Sequence, residues 1–441
     1  MAVMLVVGLA VPSNAGAEWV SFGEFLLAGG MAENPLMMGT GESESLRGWQ
    51  NQATTRLTLG ARAEWDLTEC EVVYSPYGEF YEESEINQVS HALGVFWGHR
   101  YTPRLSFSLR EDFSYSPRLP TEPGATYVGG ALVSDSSLVS NDFRPTLFFR
   151  ATPKSSLSWT YRNLVRNYGS DELMDTTVNA LGMEYSRTFG QHVIGSTGYE
   201  FGVYAFGDNV LPPVPFEVKE FCRKKPQDPK CVALSVLEAQ PFAEDQGFGR
   251  HRGFIGYAFD IPAGFHLDID AGYDFLVASR DEFGSIAEPF VRSTVGWSGH
   301  RLHASLGYEQ GLDEGGAIIA AAEIRIARFD GRFRFTDSAS LEISVLRDAR
   351  LTLDDEIPGD TTLTTLRGTT SFIYELGHGW SVLASVAHDR QTSTGTFAVP
   401  SEINASRFAL GAAWSFGRDF TRARRPPPGN TGPVSGGMPR T

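Results

Sequence analysis

Between Phe265 and Phe275 the chain reads FHLDIDAGYDF. The odd positions are Phe265, Leu267, Ile269, Ala271, Tyr273 and Phe275, and the even positions are His266, Asp268, Asp270, Gly272 and Asp274. This strict alternation has the period of an extended strand, whose successive side chains point to opposite faces. A strand with one oily and one acidic face fits two kinds of fold. In a soluble sandwich the oily face meets a protein core; in a membrane barrel it meets lipid.

The pattern returns along the chain. Leu57, Leu59, Ala61, Ala63, Trp65 and Leu67 oppose Arg56, Thr58, Gly60, Arg62, Glu64 and Asp66. In LSFSLREDFSYS, Leu105, Phe107, Leu109, Phe113 and Tyr115 oppose Ser106, Ser108, Arg110, Asp112 and Ser114, with Glu111 placed among the apolar set. Phe408, Leu410, Ala412, Trp414 and Phe416 oppose Arg407, Ala409, Gly411, Ala413 and Ser415. The second face is charged, hydroxylated or small, which suits a water-filled interior better than a dry core. A composition of 12% aromatic residues with 47 glycines agrees with a barrel in which only every second residue meets lipid. Beyond the N-terminus there is no run of 18 apolar residues. Spanning helices are thereby excluded, and a closed barrel is the spanning structure that remains. The expectation is a transmembrane antiparallel meander β-barrel of the bacterial outer membrane. In it Leu57, Leu267, Ile269, Tyr273, Leu410 and Trp414 face lipid.

Residues 1–17 carry an apolar run from Val3 to Val11 followed by small residues, which reads as a signal peptide cleaved after Ala17. No Lys or Arg opens this segment, pointing to a translational start further upstream. From 18 to 416 no linker or shift of composition appears, so the stretch reads as one domain. Short turns near 67–71, 102–104, 152–155, 189–191, 260–264, 297–300, 336–340 and 376–379 alternate with longer stretches at 31–50, 118–140, 207–248, 353–362 and 392–404. Counting between them gives about eighteen strands, with sixteen as the alternative; if 18–29 does not form a strand, the count changes and the parity argument weakens. An even count places both termini in the periplasm. Two places resist the pattern. EWVSFGEFLLAG alternates poorly. Between 317 and 335 the apolar phase moves from Ile318, Ile324 and Ile326 to Phe329, Phe333 and Phe335, for which a bulge at Asp330-Gly331 is expected in preference to a tight hairpin. Residues 417–441, rich in Pro, Gly and Arg, read as a disordered periplasmic tail.

A formal net charge of -16 argues against a nucleic-acid partner. Strand phase puts Arg56, Arg62, Arg110, Asp112, Arg144, Arg150, Arg162, Arg166, Asp268, Asp270, Asp274 and Arg407 on the lumen side, along the transport path. Two readings stand. Arg144, Arg150, Arg162 and Arg166 form a basic wall opposed to an acidic one at Asp268, Asp270 and Asp274, and the two set up a transverse field. Alternatively, the charges pair with one another and keep the lumen wet. Cys222 and Cys231 bracket CRKKPQDPKC in the longest loop and are expected to form a disulfide in an exported protein, leaving Cys70 unpaired. The ring between them holds Arg223, Lys224, Lys225 and Lys230, read either as a contact for anionic sugars or as a solvated loop. No GxSxG, P-loop or HExxH motif occurs, and the cysteines and histidines lack zinc-finger spacing. His388 and Asp389 are adjacent on a strand and point to opposite faces, while His91, His99, His266 and His303 are scattered. No catalytic activity, cofactor or metal is expected.

GAAWSF, Gly411 to Phe416, resembles the C-terminal assembly signal of bacterial outer-membrane barrels, in which a glycine is followed by aromatic residues three and five positions later. It departs at Ala409, where a polar residue is usual, and the chain continues for 25 residues, 417–441. The resemblance implies insertion by the barrel assembly machinery and contact with outer-membrane lipid and lipopolysaccharide. The recurring strand, turn and strand of YTPRLSFSL and ATPKSSLSW resembles the outer-membrane β-barrel porins associated with exopolysaccharide secretion, over nearly the whole mature chain. That family implies a polysaccharide cargo handed over by periplasmic export and co-polymerase components. Long loops such as 207–248 would then gate the exit. The residues themselves also accommodate a passive diffusion porin for small hydrophilic solutes and, less well, an outer-membrane enzyme.

Overall fold

The computed structural model describes residues 18–33, 48–82, 87–117, 137–169, 175–207, 247–262, 264–278, 285–314, 321–352, 362–394 and 402–417. The signal-peptide segment, the Cys222 and Cys231 pair, the proposed gating loop and the tail from 418 lie outside the described residues. Eighteen strands follow one another: β1 (Glu18–Glu33), β2 (Trp49–Glu64), β3 (Thr68–Tyr81), β4 (Gln88–Thr102), β5 (Leu105–Ser116), β6 (Leu138–Thr152), β7 (Ser155–Tyr168), β8 (Thr176–Phe189), β9 (Val193–Phe206), β10 (Phe248–Ile261), β11 (Phe265–Ala278), β12 (Ser285–Ser298), β13 (Leu302–Glu314), β14 (Ala321–Arg334), β15 (Ala339–Thr352), β16 (Thr362–Gly377), β17 (Trp380–Thr394) and β18 (Glu402–Phe416).

Each strand pairs antiparallel with its neighbours in sequence, and β18 returns to β1 to close the ring. Residues 18–29 therefore do form a strand, and the count is eighteen. The closing seam is built from small residues. A Cβ on Gly30 would stand 1.8 Å from the carbonyl oxygen of Phe408, and one on Gly411 would stand 2.6 Å from the Cβ of Ala28. This close approach explains why β1 hides its alternation. Its inner face carries Phe22, Ala28 and Ala32, all buried, and its outer face carries Phe25, Leu27 and Met31, all exposed.

Contacts between non-adjacent strands settle which face is inside. Arg252 on β10 comes within 3.8 Å of Glu309 on β13, three strands away, and such side chains converge only on the concave surface. The polar face of the alternation is the lumen. The convex surface is apolar: Ile269, Tyr273, Leu410 and Trp414 are exposed there, and Leu57 and Leu267 lie half-buried. Aromatic clusters mark both rims, with Trp380, Trp414 and Phe416 near the short turns and Tyr74, His91 and Tyr115 near the long connections. A closed barrel with an apolar belt and aromatic girdles is the architecture of membrane-spanning β proteins.

No bulge interrupts Asp330-Gly331. β14 pairs with β13 and β15 in one unbroken register from Ala322 to Arg334. The shift of apolar phase has a different cause. Ile324, buried, and Ile326, half-buried, point inward, while Glu323 and Arg325 point outward and pair with each other at 2.8 Å. Register shifts occur instead beside short turns, at Arg100/Thr102, Arg150/Thr152 and Glu375/Gly377. The last of these turns holds Gly377, His378 and Gly379 in succession at φ of 90°, 53° and 82°. That left-handed run is accessible to glycine and costly for most other residues.

Candidate functional site: the lumen wall

The inner wall is a mosaic of ion pairs. On β5 and β6 the register sets Arg110 opposite Arg144 and Asp112 opposite Asp142. Like charges directly across a ladder repel, so each arginine turns along its own strand. Arg110 meets Asp112 at 2.6 Å, and the Nε of Arg144 meets Asp142 at 2.7 Å. Arg162, from β7, adds a second guanidinium to Asp142 at 2.9 Å. Arg110, Asp112, Arg144 and Arg162 are partly open to the lumen, while Asp142 is buried beneath its two arginines. Between them and the short-turn rim the wall is hydroxylated: Thr146 meets Thr160 at 3.1 Å and Ser156 meets Ser186 at 2.7 Å.

The wall from β9 to β13 is different in kind. Arg252 holds Asp274 through two hydrogen bonds of 2.7 and 2.9 Å, and its guanidinium lies 3.9 Å from the ring centre of Phe290. Arg250 pairs with Glu200 and with Asp313, the latter at 2.9 Å. Arg292 pairs with Asp270. His266 sits between Asp260 at 2.9 Å and Asp268 at 2.6 Å. Asp274 is fully buried, and Arg250 and Arg252 nearly so. Above them toward the long connections lies an apolar cluster of Tyr204, Phe248, Leu276 and Leu312 with Leu164 and Val178.

A third group spans β16 to β18 and reaches over β1. Asp389 accepts from Arg367 at 2.8 Å and from Arg407 at 2.5 Å. On β3, buried Glu79 accepts from Gln88, Tyr77 and Gln52. The side-chain amide of Gln50, on β2, is buried without a hydrogen-bond partner among the described residues.

The residues expected on the lumen side from their alternation therefore sit in distinct settings. Arg110, Asp112, Arg144 and Arg162 share one island. Asp270 and Asp274 belong to another, and Asp268 lies near the short-turn rim with His266. Arg407 belongs to the third. Arg62 pairs with Glu64 and, at 2.8 Å, with Glu69 beside the first short turn. Arg56 lies 5.8 Å from the ring centre of Tyr77. Arg150 and Arg166 project into the same lumen by strand parity. The basic wall centred on β6 and the acidic stretch of β11 stand five strands apart in a ring of eighteen. They occupy adjacent quarters of the lumen and are not diametrically opposed. His388 and Asp389 point to opposite faces, outward and inward respectively.

Sequence reasoning missed Asp142, Glu200, Arg250, Arg252, Arg292, Asp313, Arg367 and Asp389. The signal was available in GRHRGF, where Arg250 and Arg252 share a parity, but Phe248 and Phe254 lie on that same face and blur it. Cys70, the one cysteine among the described residues, is a free, buried thiol on the outward side of β3.

No family model and no curated protein matches the chain. Solved structures similar to it include OccK2 (OpdF) of Pseudomonas aeruginosa in complex with glucuronate, at 10% identity over 90% of this chain and 98% of that one, with a TM-score of 0.46. Another is the outer membrane protein OpdK of P. aeruginosa, at 10% identity over 91% and 99%, with a TM-score of 0.44. The FrpB iron transporter from Neisseria meningitidis is similar at 8% identity over 90% and 81%, with a TM-score of 0.44. The fold itself is established by the strand pairing described above.

Proposed function

We propose that the chain is a bacterial outer-membrane channel and that it carries an exopolysaccharide outward as the last membrane step of secretion. The outer-membrane placement is supported by the closed ring, its apolar belt and its aromatic girdles. The observation that carries the cargo reading is the pairing inside the lumen. Arg62, Arg110, Arg144, Arg162, Arg292 and Arg407 each have a carboxylate at hand, and the wall of β6 to β8 adds hydroxyls that meet one another. A sliding polyol must exchange hydrogen bonds with the wall without losing any, because each unmatched polar group adds a barrier. A wall of satisfied charges and exchangeable hydroxyls provides for that without binding the polymer tightly. The turn resemblance to exopolysaccharide-associated porins points the same way. On this reading the polymer arrives from periplasmic export and co-polymerase components.

A second reading, passive diffusion of small hydrophilic solutes, is favoured by one feature. Arg110, Arg144, Arg150, Arg162 and Arg166 outnumber the acids on β5 to β7, whereas Asp260, Asp268, Asp270, Asp274, Glu288 and Glu309 outnumber the bases on β10 to β13. Such an imbalance orients small ions. Deleting the gene and measuring surface polysaccharide beside small-solute uptake separates the two. Loss of polysaccharide with unchanged uptake supports export, and normal polysaccharide with reduced uptake supports the diffusion porin.

A further inference from the structure

The ladder between β12 and β13 runs from Ser298 and His303 up to Val291 and Gln310 and stops there, although both strands continue. Beyond that level β12 pairs only with β11, as far as Ser285, and β13 pairs only with β14, as far as Glu314. The freed end of β13 turns over the inner wall. The amide of Leu312 donates to Oδ2 of Asp274 at 2.8 Å, and its carbonyl accepts from Arg250 at 3.1 Å and Arg252 at 3.4 Å. Its side chain is buried in the cluster of Leu276 and Phe248, against which Ile286 of β12 also packs. The wall thus lacks a ladder between residues 285–289 and 312–314, at the rim of the long connections, and this unlaced stretch forms a slot whose lower end is closed by the Phe290 ring lying against Gly311.

Proline marks one edge of the slot. Pro76 and Pro145 each coincide with a short lapse in one ladder while the ladder on the other side of the strand is unbroken. Pro289 shows the same one-sidedness, paired toward β11 and open toward β13, but here the lapse runs to the end of the strand. The two outer lips differ in chemistry. The β11–β12 lip exposes Tyr273, Phe275, Val277, Ala287 and Pro289. The β13–β14 lip carries Gln310, which donates to Glu323 at 3.2 Å, and Arg325, paired with Glu323.

We propose that this slot is a lateral port that takes an amphipathic molecule, one with an acyl chain and a polar headgroup, between the outer leaflet and the lumen. The proposal rests on the outer-membrane reading of the barrel and is independent of the polysaccharide cargo. Among the described residues the backbone of 286–290 has no ladder partner on the β13 side, and backbone left unmatched against hydrocarbon is costly, so a headgroup on the polar lip supplies partners where the ladder is missing. The acyl chain lies along the apolar lip toward Ile286 and Leu276. Leu312 stops the inner end at rest, and passage requires the β13 tip to swing away from Asp274.

The test uses the full chain in vesicles of phosphatidylethanolamine and phosphatidylglycerol, with the photocross-linker p-benzoylphenylalanine placed at Ile286, Val277 or Ser158. Val277 faces outward, Ser158 lines the lumen on β7, and Ile286 faces the lumen beside the slot. The port predicts lipid adducts at Ile286 comparable to those at Val277 and absent at Ser158. Ile286 behaving like Ser158 while Val277 is labelled overturns it, and absence of adducts at Val277 overturns the membrane reading beneath it. The unmodified protein gives a second readout that needs no variant. Amides of 286–290 facing the slot should exchange with deuterium about tenfold or more faster than those of 291–298. Equal protection along β12 means a sealed wall.

Discussion

The walls of β5–β7 and β9–β13 use the same residue types for different ends. Asp112 and Asp274 are both lumen-facing aspartates held by an arginine at 2.6–2.7 Å, yet the first side chain is 41% exposed and the second 0%. The difference comes from what lies above them. The wall around Asp112 is open to the lumen, whereas the β13 tip folds over Asp274, which bonds the tip's backbone as well as Arg252. An exposed pair is screened by water and contributes little, while removing one partner of a buried pair strands a charge. One wall is therefore lining and the other is a fastening.

Five variants can break or sharpen this contrast. Asp274→Ala removes the carboxylate from buried Arg252 and the acceptor from the Leu312 amide. It should cost about 3–5 kcal/mol, measured as a lower urea midpoint for loss of the folded form in gel-shift assays. Ile269→Arg, on the outer face of β11, should cost about 2–4 kcal/mol near the bilayer midplane; the same assay on Asp268→Asn, one residue away on the lumen face, should show far less. Arg144→Ser combined with Arg162→Ser strips buried Asp142 of both guanidiniums, so it should cost about 2–3 kcal/mol and shift the reversal potential in a salt gradient toward cation selectivity. An unchanged potential would mean that the β5–β7 arginines do not face the conduction path. The smallest effect is expected for Asp112→Ala, below about 1 kcal/mol. A loss as large as that of Asp274→Ala would abolish the distinction between the walls.

The same contrast explains how much the sequence revealed. Where the lumen is wet, the two faces differ in polarity and the strand can be read directly, as in β11 around Asp268 and Asp270 or in β5 around Arg110. Where the lumen is covered or the strands crowd together, both faces become apolar and the period disappears. β1 was obscure because Phe22, Ala28 and Ala32 face inward beside the glycine-lined closing seam. β14 suggested a bulge because Ile324 and Ile326 face inward, opposite Gly311 and Glu309 of β13, with Glu323 and Arg325 on the outside. The ion pairs were legible only as candidates. Alternation says which face a charge is on, but register decides its partner: Arg144 met Asp142 because the β5–β6 ladder set Arg110 opposite it. The break in the β12–β13 ladder left no mark in the sequence beyond Pro289.

The account depends most on the lumen being a continuous aqueous path across a membrane. Purified, refolded full-length protein added to a planar lipid bilayer tests this directly. The account predicts stepwise, ohmic conductance increments whose ion preference moves when Arg144 and Arg162 are both replaced by serine. Protein that inserts and gives no conductance, or that stays monomeric and soluble without detergent, would contradict it.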